Sequence, residues 1–115
     1  MADSSQSVAV VDIDRASRFG KQLVSHLGRR TGGEWSTDTG TGWIDLQGDR
    51  GTVEAEGGTL TLRVEGPPDH LQRLEEVLGG HLVRFATDLQ VHVSWSRSDG
   101  TAGSQQFTER AGPTA

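Results

Sequence analysis

Side chains alternate in character at nearly every step between residues 52 and 65, and Gly57-Gly58 interrupts the pattern once. If that pair makes a two-residue hairpin, Val53, Ala55, Leu60, Leu62 and Val64 share one face. Thr52, Glu54, Glu56, Thr59, Thr61, Arg63 and Glu65 share the other. An apolar face and a wet face at period two describe an antiparallel sheet covered on a single side. Whatever else the chain contains must therefore cover that one face.

Two segments carry the matching helical stripes. Ala16, Phe19, Leu23 and Leu27 recur at spacings of three and four after Asp14, which is placed to act as an N-cap. Gly28 and Arg29-Arg30-Thr31-Gly32-Gly33 end this helix, since basic residues suit the negative C-terminal end of its dipole. Gly66-Pro67-Pro68-Asp69 opens a second helix to about Ala86, with Leu71, Leu74, Leu78, Leu82 and Phe85 as its stripe. Gly20, Gly79 and Gly80 sit inside these helices against local propensity and point to a close helix–helix or helix–sheet approach.

Further strands are expected at 7–13, weakly at 34–37, at 43–46, and at Val91, Val93 and Trp95. The order is β-α-β-β-β-β-α-β. The simplest architecture that buries both stripes and the apolar face is a two-layer α/β sandwich of the α+β class. It has a mixed, mostly antiparallel sheet with both helices on one face. Residues 7–97 form the single domain. Residues 1–6 and 98–115, rich in Gly, Ser, Thr, Gln and Ala, read as disordered tails.

Zero cysteines exclude a disulfide scaffold, a thiolate zinc site and a cysteine nucleophile. A net charge of −5 argues against sequence-independent nucleic-acid binding. No apolar run approaches a membrane span, so no membrane partner and a soluble, cytoplasmic location are expected. Gly40-Thr41-Gly42 lacks a third glycine in phase and reads as a turn, and the sequence has no Walker lysine, H-E-x-x-H or G-x-S-x-G. The carboxylate pairs Glu54/Glu56 and Glu75/Glu76 are assigned to solvated faces. No metal site and no cofactor are expected.

His26 falls on the flank of the first stripe, and His81 falls within the second. Were both helices on one sheet face, the two imidazoles would meet near their seam, with Arg84 three residues beyond His81. This makes His26, His81, Arg84 and Phe85 the candidate binding residues for a small-molecule or anionic ligand; the competing interpretation is a packed core histidine. Trp43 shares parity with Asp45 rather than with Ile44 and Leu46, which places it on the open face, and Trp35 is expected to join it as an interface candidate. His70 and His92 are expected to face solvent.

The segments Asp14-Arg15-Ala16-Ser17-Arg18-Phe19, Lys21-Gln22-Leu23 and His26 occur with residues 42–46, Leu60-Thr61-Leu62 and Leu74-Glu75. With His81-Leu82-Val83-Arg84-Phe85-Ala86 and Trp95 they resemble a bacterial family of uncharacterised proteins, domain of unknown function 2218, over residues 7–96. The resemblance places His26, His81, Arg84 and Phe85 on family motif positions and implies an association with iron–siderophore uptake, with no activity attached. The chain departs from the family pattern at Phe19, where tyrosine is common, and at Thr87-Asp88, in place of an aromatic–basic pair. The expected function is a non-catalytic small-ligand-binding or accessory protein. The alternative is an interaction module or homodimer acting through the open face around Trp43. An enzyme comes third, because no nucleophile–base constellation can be assembled.

Overall fold

A computed structural model describes residues 4–108. The elements run β1 (Ser5–Asp12), α1 (Ala16–Thr31), β2 (Gly33–Ser36), β3 (Thr41–Leu46), β4 (Asp49–Glu56) and β5 (Thr59–Gly66). A 3-10 turn (Pro68–His70), α2 (Leu71–Phe85), β6 (His92–Arg97) and β7 (Ala102–Phe107) follow. The strands form one sheet in the order β2-β3-β4-β5-β1-β6-β7. The expected α+β arrangement is the one observed, with two differences: there are seven strands, and every pairing is antiparallel.

The parity read from residues 52–65 sets the layers. Val53, Leu60, Leu62 and Val64 are buried, as are Ala9, Val11, Ile44, Val93 and Trp95 on the strands beside them. α1 lies over β2, β3 and β4, while α2 lies over β5, β1, β6 and β7. Leu23 and Val24 of α1 and Leu71, Leu74, Leu78 and Leu82 of α2 complete the core.

Asp14 does not cap α1. The N-cap is Arg15, in the left-handed region at φ 59° and without a side-chain capping bond. The chain leaves β1 with the Ile13 amide bonded to the Gly58 carbonyl, and the left-handed residue that follows turns the Asp14 carboxylate out to solvent. The Arg15 guanidinium instead sits over the Phe19 ring and pairs with Asp88 at 3.1 Å, so the departure at Thr87-Asp88 has a structural use.

The C-terminal segment departs furthest from expectation. Residues 98–108 are not a tail: β7 pairs with β6 from His92↔Phe107 to Ser96↔Ala102. The Thr108 hydroxyl accepts the Val91 amide and donates to the Leu89 carbonyl. At the other end Ser5 and Gln6 belong to β1. Residues 1–3 and 109–115, also assigned to tails, lie outside the described residues.

β7 also explains Gly79. A Cβ there would fall on the Gln106 carboxamide, whose oxygen accepts the Trp95 indole N–H at 2.7 Å. Gly20 faces the Trp35 ring in the same way, so both glycines serve helix–sheet approach rather than the helix–helix seam. Gly80 has nothing within 4 Å of its Cβ direction. Gly80→Ala should therefore gain the helical advantage of alanine, about 0.5–1 kcal/mol. Thermal unfolding should show a rise of about 2–8 °C in Tm.

Candidate functional site

His26 and His81 meet. Leu23 is fully buried and His26, three residues on, stands at the exposed margin of α1; His81 is half-buried on α2. Their ring centroids are 5.4 Å apart, and Phe85 meets His26 edge-on at 5.3 Å. His81 Nδ1 lies 2.7 Å from the Val77 carbonyl oxygen, one helical turn back. A carbonyl can only accept, so Nδ1 carries the proton, and Nε2 is left as the nitrogen with a lone pair when the ring is neutral.

The two rings open onto a cleft of about 490 Å³ between the last turns of α1, the β3–β4 turn and the first half of α2. That volume lies in the range of small-molecule sites, roughly 300–1,000 Å³. Leu27, Leu46, Leu74 and Val77 supply apolar surface; Arg29, Arg30 and Arg73 join them, with Asp45 the one acidic residue of the lining, and the Arg73 guanidinium lies 3.8 Å from Asp49 Oδ2. Two residues with positive φ, Gln47 at 57° and Gly48 at 99°, make the tight turn that holds this wall. Asp45 Oδ1 accepts the Gly48 amide at 2.8 Å and fixes it. Arg29 and Arg30 also sit at the negative end of α1, which holds two cations there.

The remaining expectations divide. Arg84 is exposed and does not line the cleft; seven residues beyond Val77 it returns to the same side of α2, but about 10 Å further along the axis, in the last turn and past the end of the cleft. Phe85 backs the imidazole pair without reaching the cleft. Arg73, Val77, His81 and Phe85 recur in steps of four on α2, so helix phase read forward from residue 73 finds the guanidinium that takes the place expected of Arg84. Arg29 and Arg30 stand three and four residues after His26, and their terminal position had given them a purely local explanation. Among the described residues no three His, Cys, Asp or Glu side chains converge as a metal group would need.

Trp43 is on the open face, 36% exposed, with the Arg50 guanidinium 5.0 Å from the centroid of its ring. Trp35 does not join it. It pairs with Gly42, one residue off the Trp43 register, so its ring lies on the helix side against Gly20. His92 is exposed, with Nε2 2.6 Å from the Gln105 carboxamide oxygen. His70 is only half-exposed, its Nδ1 2.9 Å from Asp49 Oδ2.

A second polar centre was not expected. Glu75, assigned to a solvated face, is fully buried. Arg97 donates to it through Nε at 2.9 Å and Nη2 at 3.0 Å. The Ser7 hydroxyl donates at 2.6 Å, and the Ser104 amide and hydroxyl donate at 2.9 and 2.8 Å. Burial pushes the carboxyl pKa up, but the hydrogen bonds from Arg97, Ser7 and Ser104 outweigh it and hold the group below the usual carboxylate range. With five donors on two oxygens no acceptor capacity remains for a ligand, so Glu75 fastens α2 to β1, β6 and β7. Its phase was legible, since residue 75 lies four after Leu71 and three before Leu78.

Among the described residues no helix is long and apolar enough to cross a membrane. No curated protein matches the chain. The fold is similar to the NMR structure of PA4090 from Pseudomonas aeruginosa, with a TM-score of 0.60 and 23% identity over 88% of this chain and 98% of that one. The model of a family described as uncharacterised proteins conserved in bacteria matches residues 8–96. That span contains both helices, four whole strands, most of β1 and β6, and the imidazole pair, and the chain belongs to this family, domain of unknown function 2218.

Proposed function

We propose that the protein is a non-catalytic binding protein that takes a small anionic ligand in the cleft between α1 and α2. One observation carries this: three arginines and two histidines line one partly apolar cleft in a chain whose net charge is −5. A cationic concavity on an acidic surface concentrates anions locally, and guanidinium forks match carboxylate and phosphate geometry. The apolar wall favours a ligand with a hydrocarbon or aromatic body beside its anionic group. Support for binding without catalysis comes from the lining. It holds no serine, cysteine or lysine, and the Thr31 hydroxyl is committed to the Asp45 carbonyl oxygen.

Calorimetric titration with inorganic phosphate, citrate and ferric citrate tests the proposal, the last because of the iron association implied by the family resemblance. At least one anion should bind. Arg30→Glu and Arg73→Glu should each weaken that binding about tenfold or more, the scale of one charge-assisted hydrogen bond lost. Absence of binding by all three anions, or affinities indifferent to both substitutions, would refute it.

A further inference from the structure

The sheet face opposite the helices is bare. All three exposed large hydrophobic side chains among the described residues, Val10, Trp43 and Phe107, stand on it. Four side chains cross part of this face in one row: Glu34 pairs with Trp43, Trp43 with Thr52, and Thr52 with Arg63. Strands lie about 4.8 Å apart, so Glu34 and Arg63 end the row about 14 Å apart, too far to pair within one chain. Neither has an ion pair or side-chain hydrogen bond among the described residues, and both are exposed. A groove of about 360 Å³ lies along the row, lined by all four of its residues together with Thr41, Glu54 and Thr61 beside them.

We propose that this face binds a second copy of itself about a twofold axis running along the strands between β3 and β4. That operation reverses the row. Glu34 of each copy comes opposite Arg63 of the other, and Trp43 comes opposite Thr52, above the groove. The neighbouring row obeys the same symmetry, since Asp45 pairs with Arg50 across β3 and β4 and each would face the other's counterpart. Self-complementarity of this kind is what an isologous interface requires. The contact of Arg50 with the Trp43 ring holds the indole in place before association, as suits a central aromatic anchor. Two chains of net charge −5 repel at long range, so attraction comes from the matched rows. With four of seven strands involved, the interface is at the small end and association is concentration-dependent.

Sedimentation velocity at increasing protein concentration and physiological ionic strength tests this with the full chain, Glu34→Arg, Arg63→Glu, and an equimolar mixture of the two variants. The wild-type chain should dimerise as concentration rises. Each variant alone should associate at least about tenfold more weakly, because the axis sets like charges together twice. The mixture should recover dimers, because both contacts become Arg with Glu again. Circular dichroism checks that both variants stay folded, and dimerisation should shift Trp43 fluorescence. A wild-type chain that stays monomeric to millimolar concentration would overturn the proposal. So would variants that associate like wild type, or a mixture that fails to recover.

Discussion

Glu75→Leu should lower the unfolding free energy by about 3–5 kcal/mol, the range for removing one partner of a buried ion pair. The loss comes mainly from what remains. Arg97, whose side chain is 17% exposed, keeps its charge without its carboxylate, and the Ser7 hydroxyl and both Ser104 donors lose their acceptor. Urea unfolding monitored by tryptophan fluorescence measures the change as a lower midpoint. The same carboxylate makes stability acid-sensitive. Its folded-state pKa lies below the unfolded value near 4.5, so its contribution is complete above that value and is lost as pH falls through the folded pKa. The wild-type chain should lose stability over this acid range more steeply than Glu75→Leu, and parallel pH profiles would show that the network is not the source.

Deleting residues 98–115 should remove about 3–5 kcal/mol or abolish cooperative unfolding. Truncation strips Ser104 from Glu75, Gln106 from the Trp95 indole and Thr108 from the Val91 and Leu89 backbone. Each buried partner left unpaired costs about 1–3 kcal/mol, and Trp95, 3% exposed, loses its cover. A composition-based view of this segment as a tail makes the opposite prediction, an unchanged transition. Thermal unfolding followed by near-ultraviolet circular dichroism separates the two.

These two effects sit where the sequence was hardest to interpret, and for one physical reason. β4 and β5 were legible because apolar burial on a one-sided sheet writes period two into the residues. The stripes of α1 and α2 were legible because the same burial writes a helical period. β7 attaches differently. Its inward side chains are Ser104 and Gln106, which satisfy a buried carboxylate and an indole, so burial leaves no apolar signature and the composition resembles a linker. Glu75 was hidden by residue type, since a carboxylate at a stripe position reads as a surface group unless its donors on β1, β6 and β7 are known. At the cleft, helix phase marks the imidazoles and puts both Arg73 and Arg84 on the same side of α2; the placement of the β3–β4 turn beside the first half of that helix is what selects Arg73. Trp35 was misplaced because the start of β2, and therefore its parity, could not be fixed from four residues.

The most direct test of the binding cleft is a histidine-resolved NMR titration of the full chain with inorganic phosphate, citrate and ferric citrate. Saturable shifts for at least one anion should concentrate at the His26 and His81 rings and at the Asp45, Gln47 and Arg73 amides, with His92 and the open-face row unmoved. Saturable shifts confined to the row from Glu34 to Arg63, or no saturable shift with any of the three, would contradict the assignment of this cleft as the binding site.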